Sequence, residues 1–336
     1  LGSLTENTKE MSQIINNPWV IAGIYAAAIL AVVSLLIFLL LVLLIFLNTT
    51  YRNPLKKRTR ECTLKNDESQ MRMFSEGIAW AENFKDKREQ LHIVSDGLNL
   101  YGEYINFGFD KCAVILQGRG ESLLYSYYFA EVYAKSEHNI LVVDGRSQGL
   151  SDGNYQTGGI KESDDLILWI KLINERFNIA DFTVHGICIG GATAVYAYSK
   201  LKNEGSGLLK RIVTEGLYKS YYELYKAHPK AYKVPMLSVI YAATYVAFFL
   251  IFILAKVRPF KETPIKYMKD IDIPILFIWS ARDKFSTKTN SEELFKACAS
   301  EHKEICFFPK GVHSLARLSQ KAEYDGLIAN FLQKHI

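Results

Sequence analysis

The chain has 336 residues, with 40 basic and 35 acidic side chains and a formal charge of +5. Hydrophobic residues make up 49% and charged residues 22%, a globular balance that excludes a disordered, collagen-like or disulfide-scaffold chain. The five cysteines, Cys62, Cys112, Cys188, Cys298 and Cys306, are odd in number, scattered and without a C-x-x-C pair, so they read as reduced thiols rather than as disulfides or a zinc site.

After a short N-terminal segment (1–18), the 29 residues from Trp19 to Leu47 carry no charge. At 1.5 Å per residue they reach about 43 Å against about 30 Å of hydrocarbon, which reads as a transmembrane helix that is tilted or has an interfacial end. A signal peptide is the alternative; the apolar stretch exceeds the usual h-region and no basic n-region precedes it. Residues 1–18 hold Lys9 against Glu6 and Glu10, whereas residues 51–60 hold Arg52, Lys56, Lys57, Arg58 and Arg60 with no acid. The positive-inside bias then places the larger remainder in the cytoplasm and the anchor in the cell membrane. Most of the net charge sits in this basic patch facing anionic lipid, and nucleic-acid binding has no support. The chain opens on Leu1 rather than Met, so the flank count covers only the residues present.

Beyond a basic juxtamembrane linker and pre-domain (48–88), short apolar runs alternate with amphipathic stretches, the pattern of an α/β sheet. Residues 91–94 and 98–107 read as an antiparallel pair. Residues 113–116, 140–144, 182–185, 211–214, 275–279 and 304–308 read as buried parallel strands, eight in all. Crossover helices are expected over 122–135, 160–176, 192–202 and 292–299. The 22 uncharged residues from Val234 to Ala255 interrupt this rhythm. A second membrane crossing there would put the strand at 275–279 on the other side of the bilayer from its sheet, so residues 218–268 read as an inserted cap. Its apolar helix is either an ordinary buried cap helix or one lying in the bilayer surface.

The strand at 182–185 runs into Gly186-Ile187-Cys188-Ile189-Gly190-Gly191. Glycines two before and two after a nucleophile permit the sharp strand-to-helix turn that exposes its side chain, and a thiol at a helix N-terminus feels the positive end of the dipole. The alternative is a buried structural cysteine in a tight turn. Asp283 follows the strand at 275–279 and His313 follows the strand at 304–308, so nucleophile, acid and histidine come in the order a nucleophile-elbow site requires. The oxyanion donors expected are the backbone N–H groups of Ile189 and of Arg119, the latter in the loop Gln117-Gly118-Arg119-Gly120-Glu121-Ser122. Asp144-Gly145-Arg146-Ser147-Gln148-Gly149-Leu150-Ser151 reads as a bracing turn, and Glu215 as a reserve acid or a core-edge carboxylate.

On these motifs the chain from about Glu89 to Ile336 resembles the bacterial membrane-anchored α/β-hydrolases of the serine aminopeptidase-like and monoacylglycerol-lipase-like kind. The resemblance implies an α/β-hydrolase fold: an eight-stranded, mostly parallel sheet with helices on both faces, an apolar cap and one N-terminal transmembrane helix. The chain departs from the family pattern at Gln117 in place of the histidine of H-G-x, at Ser147 in place of the first glycine of D-x-R-G, and at Cys188 in place of the nucleophilic serine. G-x-C-x-G-G is also similar, locally, to the box of polyhydroxyalkanoate synthases and of some acyltransferases and dienelactone hydrolases.

A triad of Cys188, His313 and Asp283 implies an acyl-thioester intermediate and an acyl ester or thioester substrate, lipid-like and reached from the membrane bilayer. Hydrolysis, acyl transfer from the Cys188 thioester, an inactive interaction module and a hydrolase disabled by a Ser-to-Cys change all stay open at this level. No metal cluster, phosphate loop or dinucleotide fingerprint is present, so no cofactor is implied, and no oligomeric state is assigned.

Overall fold

A computed structural model describes residues 16–49 and 68–335. The charged N-terminal flank and the basic patch at 52–60, on which the expected orientation rests, lie outside the described residues. Helix α1 (Pro18–Thr49) spans 32 residues, and 32 residues at 1.5 Å each extend about 48 Å, enough to cross a bilayer. Its first two turns and middle are exposed, while Val42 and Phe46 are buried against the rest of the chain. Helix α2 (Glu68–Glu82) follows, and its Gly77 lets the two backbones touch: a Cβ there would stand 2.8 Å from both Leu124 O and Tyr128 N.

The sheet begins with β1 (Arg88–Ser95), β2 (Leu98–Ile105) and β3 (Lys111–Leu116). Helices α3 (Leu123–Ser126) and α4 (Ala130–Lys135) lead to β4 (His138–Val143), and α5 (Glu162–Phe177) leads to β5 (Asp181–Ile187). Then come α6 (Ile189–Asn203), β6 (Leu209–Glu215), α7 (Tyr221–Ala231) and α8 (Leu237–Ala255) in the segment expected as a cap, and the single turn α9 (Pro264–Tyr267). The chain closes with β7 (Ile275–Ser280), α10 (Lys288–Ala297), β8 (Lys303–Phe308), α11 (Ala316–Ser319) and α12 (Lys321–Lys334). The helix expected over 122–135 is two helices, because residues Tyr127–Phe129 tighten into a 3₁₀ turn between them. All eight expected strands form.

The strand order is β1-β2-β4-β3-β5-β6-β7-β8, with β1/β2 and β2/β4 antiparallel and every other pair parallel. The parallel strands are nearly continuous apolar runs because both faces are covered; all six residues of β4 are buried. From β3 the chain moves outward to β4, then crosses back to β5 and proceeds the other way. The crevice outside the carboxyl ends of β3 and β5 is therefore the topological switch point, where open α/β sheets bind ligands. Register brings those ends level: Leu116 faces Gly186, Ile187 faces Glu215, and Glu215 faces Ile278.

Helix α8 is also long and apolar enough to cross a membrane. It packs along α1, burying Ala243, Ala247, Phe248 and Ile251 while Tyr245, Phe249, Phe252 and Leu254 stay exposed. Its inner face is small at two positions, which lets a neighbouring helix approach closely.

Candidate active site

Cys188 stands between β5 and α6 at φ 52° and ψ −106°, a left-handed conformation that a residue with a side chain adopts only under constraint, at a cost of about 1–3 kcal/mol. The surrounding glycines impose it. A Cβ on Gly186 would lie 2.2 Å from Gly190 C, and one on Gly190 would lie 2.5 Å from Leu116 O, so the turn closes only where both lack side chains. The Cys188 N–H is tied to Glu215 O at 2.8 Å. This aims the thiol out of the sheet at the N-terminus of the 15-residue α6, where the helix dipole favours negative charge.

Asp283 caps the turn after β7. Its Oδ1 accepts the N–H groups of Phe285 and Ser286, each at 2.8 Å, and its Oδ2 meets His313 Nδ1 at 2.6 Å. With Nδ1 committed to Asp283, Nε2 is the imidazole nitrogen left for a second partner, and Cys188 is close enough to raise the His313 pKa. Burial by itself lowers the His313 pKa, but Cys188 and the Asp283 carboxylate together outweigh it and hold the imidazole well above its ordinary 6.5. Gly216, at φ 65°, makes room for the ring: a Cβ there would be 3.0 Å from His313 Cε1. Phe285 meets the same ring edge-on at a centroid distance of 5.4 Å. The three residues singled out from sequence thus converge in one cluster.

The loop after β3 lies across the elbow. Among the described residues, the N–H groups of Ile189 and Arg119, expected as oxyanion donors, donate to no protein acceptor. Gly118 is fixed on both sides, its N–H donating to Glu121 Oε2 at 2.8 Å and its carbonyl accepting from Gln148 Nε2 at 2.8 Å. Gln117 donates from Nε2 to Gln148 Oε1 at 3.2 Å, which gives this substituted position a structural partner in the bracing turn. That turn does brace: Asp144 accepts from Leu123 N at 2.7 Å and Leu150 N at 2.8 Å, while buried Arg146 donates from Nε to Asp165 at 2.8 Å.

Glu215 has a different task from that of a reserve acid. Its carboxylate accepts Ala316 N–H at 2.8 Å and Tyr324 O–H at 2.7 Å, which latches the segment carrying His313 to the end of β6, and burial raises its pKa. Sequence reasoning missed Glu121. Burial pushes its carboxyl up to about 7, against the lowering pull of Gly118 N–H and His313. It also missed His228 of α7, which donates from Nδ1 to Leu224 O at 2.8 Å and stacks on Phe285 at 4.1 Å; burial lowers its pKa. The G-x-G-E string and the histidine at 228 were visible, but nothing local in either signalled an interaction with His313.

No protein-family model matches the chain. It is 21% identical over 221 residues to an uncharacterized protein of Bacillus subtilis, YqkD, covering 65% of this chain and 70% of that one. Among solved structures it is similar to an esterase of Pyrococcus furiosus, with a TM-score of 0.62 and 18% identity over 83% of this chain and 98% of the other. It is also similar to an alpha-beta hydrolase of Vibrio vulnificus, with a TM-score of 0.59 and 16% identity over 84% and 99%. With these likenesses and an eight-stranded sheet carrying a strained turn at the switch point, the chain has the α/β-hydrolase fold.

Proposed function

We propose that the protein is a membrane-anchored hydrolase of acyl esters or thioesters, with Cys188 as nucleophile, His313 as base and acid, and Asp283 as the group that orients His313. The observation that carries this reading is the short Asp283–His313 contact at the end of the sheet where Cys188 is held at positive φ on a glycine-flanked strand-to-helix turn. His313 takes the Cys188 proton as sulfur bonds to the acyl carbon, and the resulting oxyanion lies between the Ile189 and Arg119 N–H groups. The carbon–oxygen or carbon–sulfur bond to the leaving group then breaks, with His313 returning the proton to the departing alcohol or thiol. Water deprotonated by His313 attacks the thioester, releasing a carboxylic acid and regenerating the thiol. Asp283 stays ionised throughout.

In this reading α1 is a single-pass span in the cell membrane, the hydrolase unit covers residues 89–336 on the cytoplasmic side, and the insertion at 218–268 caps the site. Full-length protein in detergent, assayed with p-nitrophenyl esters and acyl-CoA, tests it: turnover abolished in Cys188→Ala supports the hydrolase. Acyl passed mainly to added amines or thiols makes it a transferase. Activity seen only in Cys188→Ser identifies a disabled serine hydrolase and refutes the proposal, and inactivity of all variants identifies an interaction protein.

A further inference from the structure

Above the oxyanion loop, a cavity of about 260 Å³ lies between the last turns of α1, the cap helices α7 and α8, and Arg119. Its walls are mostly apolar, with Leu44 and Ile45 from the membrane helix facing Tyr225 and Ile240 from the cap. It is near the lower end of small-molecule sites, about 300 Å³, so a long ligand must continue out of it. Beyond the cavity the two packed helices expose further apolar side chains, Leu40 and Leu43 of α1 and Phe249 and Phe252 of α8.

Among the described residues, one arginine lines this cavity. Arg119 donates to the carbonyl of Asn48 at the end of α1, and its guanidinium stands 5.7 Å over the Tyr225 ring. Among the described residues it forms no ion pair with a carboxylate; Glu121, nearby, is turned to Gly118 N–H. The guanidinium has five donors and cannot lose its charge, so donors remain for a further acceptor. His228, the other basic side chain in the described lining, has its pKa lowered by burial. Among the described residues, a single arginine within mostly apolar walls matches a monoanion on a hydrocarbon chain.

We infer that this cavity is a binding site for a long-chain carboxylate, a fatty acid anion, held by the Arg119 guanidinium with its chain against Leu44, Ile45 and Ile240 and out between α1 and α8. The membrane helix is then a wall of the site as well as an anchor. The inference rests on the hydrolase reading for its physiological source. Hydrolysis turns an uncharged ester carbonyl beside the Arg119 N–H into a carboxylate, which gains an ion pair with the side chain of the same residue and leaves toward the bilayer. Fatty acid product should therefore inhibit where the matching alcohol does not.

The test uses the full chain as Cys188→Ala in zwitterionic phosphatidylcholine nanodiscs, so that no acyl-enzyme forms. A diazirine-bearing palmitic acid is photo-crosslinked and its attachment mapped by mass spectrometry. The expected labels fall on peptides holding Leu44–Asn48 and Ile240–Thr244, with competition by oleate but not by oleyl alcohol. Adding Arg119→Gln lowers the labelling about tenfold, the scale of losing one charge-assisted contact. Thr244→Trp, which fills the cavity and leaves the cation, also lowers it, and circular dichroism checks that both variants are folded. Equal competition by the alcohol, or labelling that Arg119→Gln leaves intact, overturns the site. Turnover of esters without oleate binding refutes this site alone, whereas oleate binding in a wild type that turns over no ester refutes the hydrolase reading and keeps the site.

Discussion

Replacing Glu121 with glutamine probes a titration built into the loop beside Cys188. Burial pushes this carboxyl from its ordinary 4.5 up to about 7. A carboxyl whose pKa is higher in the folded than in the unfolded chain binds more protons when folded, so its contribution is fully present at low pH and is lost as pH rises between those two values. At 1.36 kcal/mol for each pH unit the full effect is about 3 kcal/mol, and screening of a half-buried side chain brings it to about 2 kcal/mol. Glutamine keeps a carbonyl oxygen for the Gly118 N–H, which Glu121 now accepts at 2.8 Å, and has nothing to ionise. Thermal unfolding of full-length wild type and Glu121→Gln in the same detergent, followed by circular dichroism from about pH 5 to about pH 8, isolates this group by difference. The variant should match wild type at the acid end and exceed it at the alkaline end by about 4–8 °C in Tm. Parallel curves across that range would refute the placement of a raised carboxyl at this loop.

Asp283→Asn leaves the imidazole without its acceptor at Nδ1 and without the charge that helps raise its pKa. The kcat/KM for esters should fall by about 10²–10⁴, and alkylation of Cys188 by iodoacetamide should slow at neutral pH; an unchanged alkylation profile would separate Asp283 from the cysteine. Glu215→Gln, by contrast, keeps an acceptor for the Ala316 N–H and should lose far less activity than Asp283→Asn. The reverse ranking in the same ester assay would restore Glu215 as the acid. Gly190→Ala forces a Cβ to within 2.5 Å of Leu116 O and should destabilise by about 2–3 kcal/mol, lowering Tm by about 5–10 °C. An unshifted melt would mean that the elbow is looser than its geometry.

The strands were legible because a parallel sheet covered on both sides leaves little room for polar residues, so β3 and β4 stand out as apolar runs of the right length. The elbow, Asp283 and His313 were legible for a related reason: each directly follows such a run. Helix α2 was not, since what seats it is the absence of a side chain at Gly77 against Leu124 and Tyr128, a contact between backbones that no hydrophobic periodicity reports. The break at Tyr127–Phe129 was equally silent, because three aromatic residues continue a helical pattern as readily as they fill a 3₁₀ turn. Glu121 and His228 take their roles from partners brought by folding, Gly118 and His313 for one and Phe285 for the other. The packing of α1 on α8 is a tertiary fact as well: both read as apolar helices, and only the fold brings Leu44 and Ile240 to one cavity.

The central claim is that Cys188 is a working nucleophile on a membrane-anchored hydrolase fold. Intact-mass spectrometry of the full-length protein, quenched seconds after mixing with p-nitrophenyl esters and with acyl-CoA, tests it most directly, with Cys188→Ala and Cys188→Ser beside the wild type. The account predicts a mass increase of one acyl group on wild type, mapped to Cys188, absent in Cys188→Ala and decaying in water with release of the acid. No adduct and no turnover in wild type, with an acyl-ester appearing in Cys188→Ser, would contradict it.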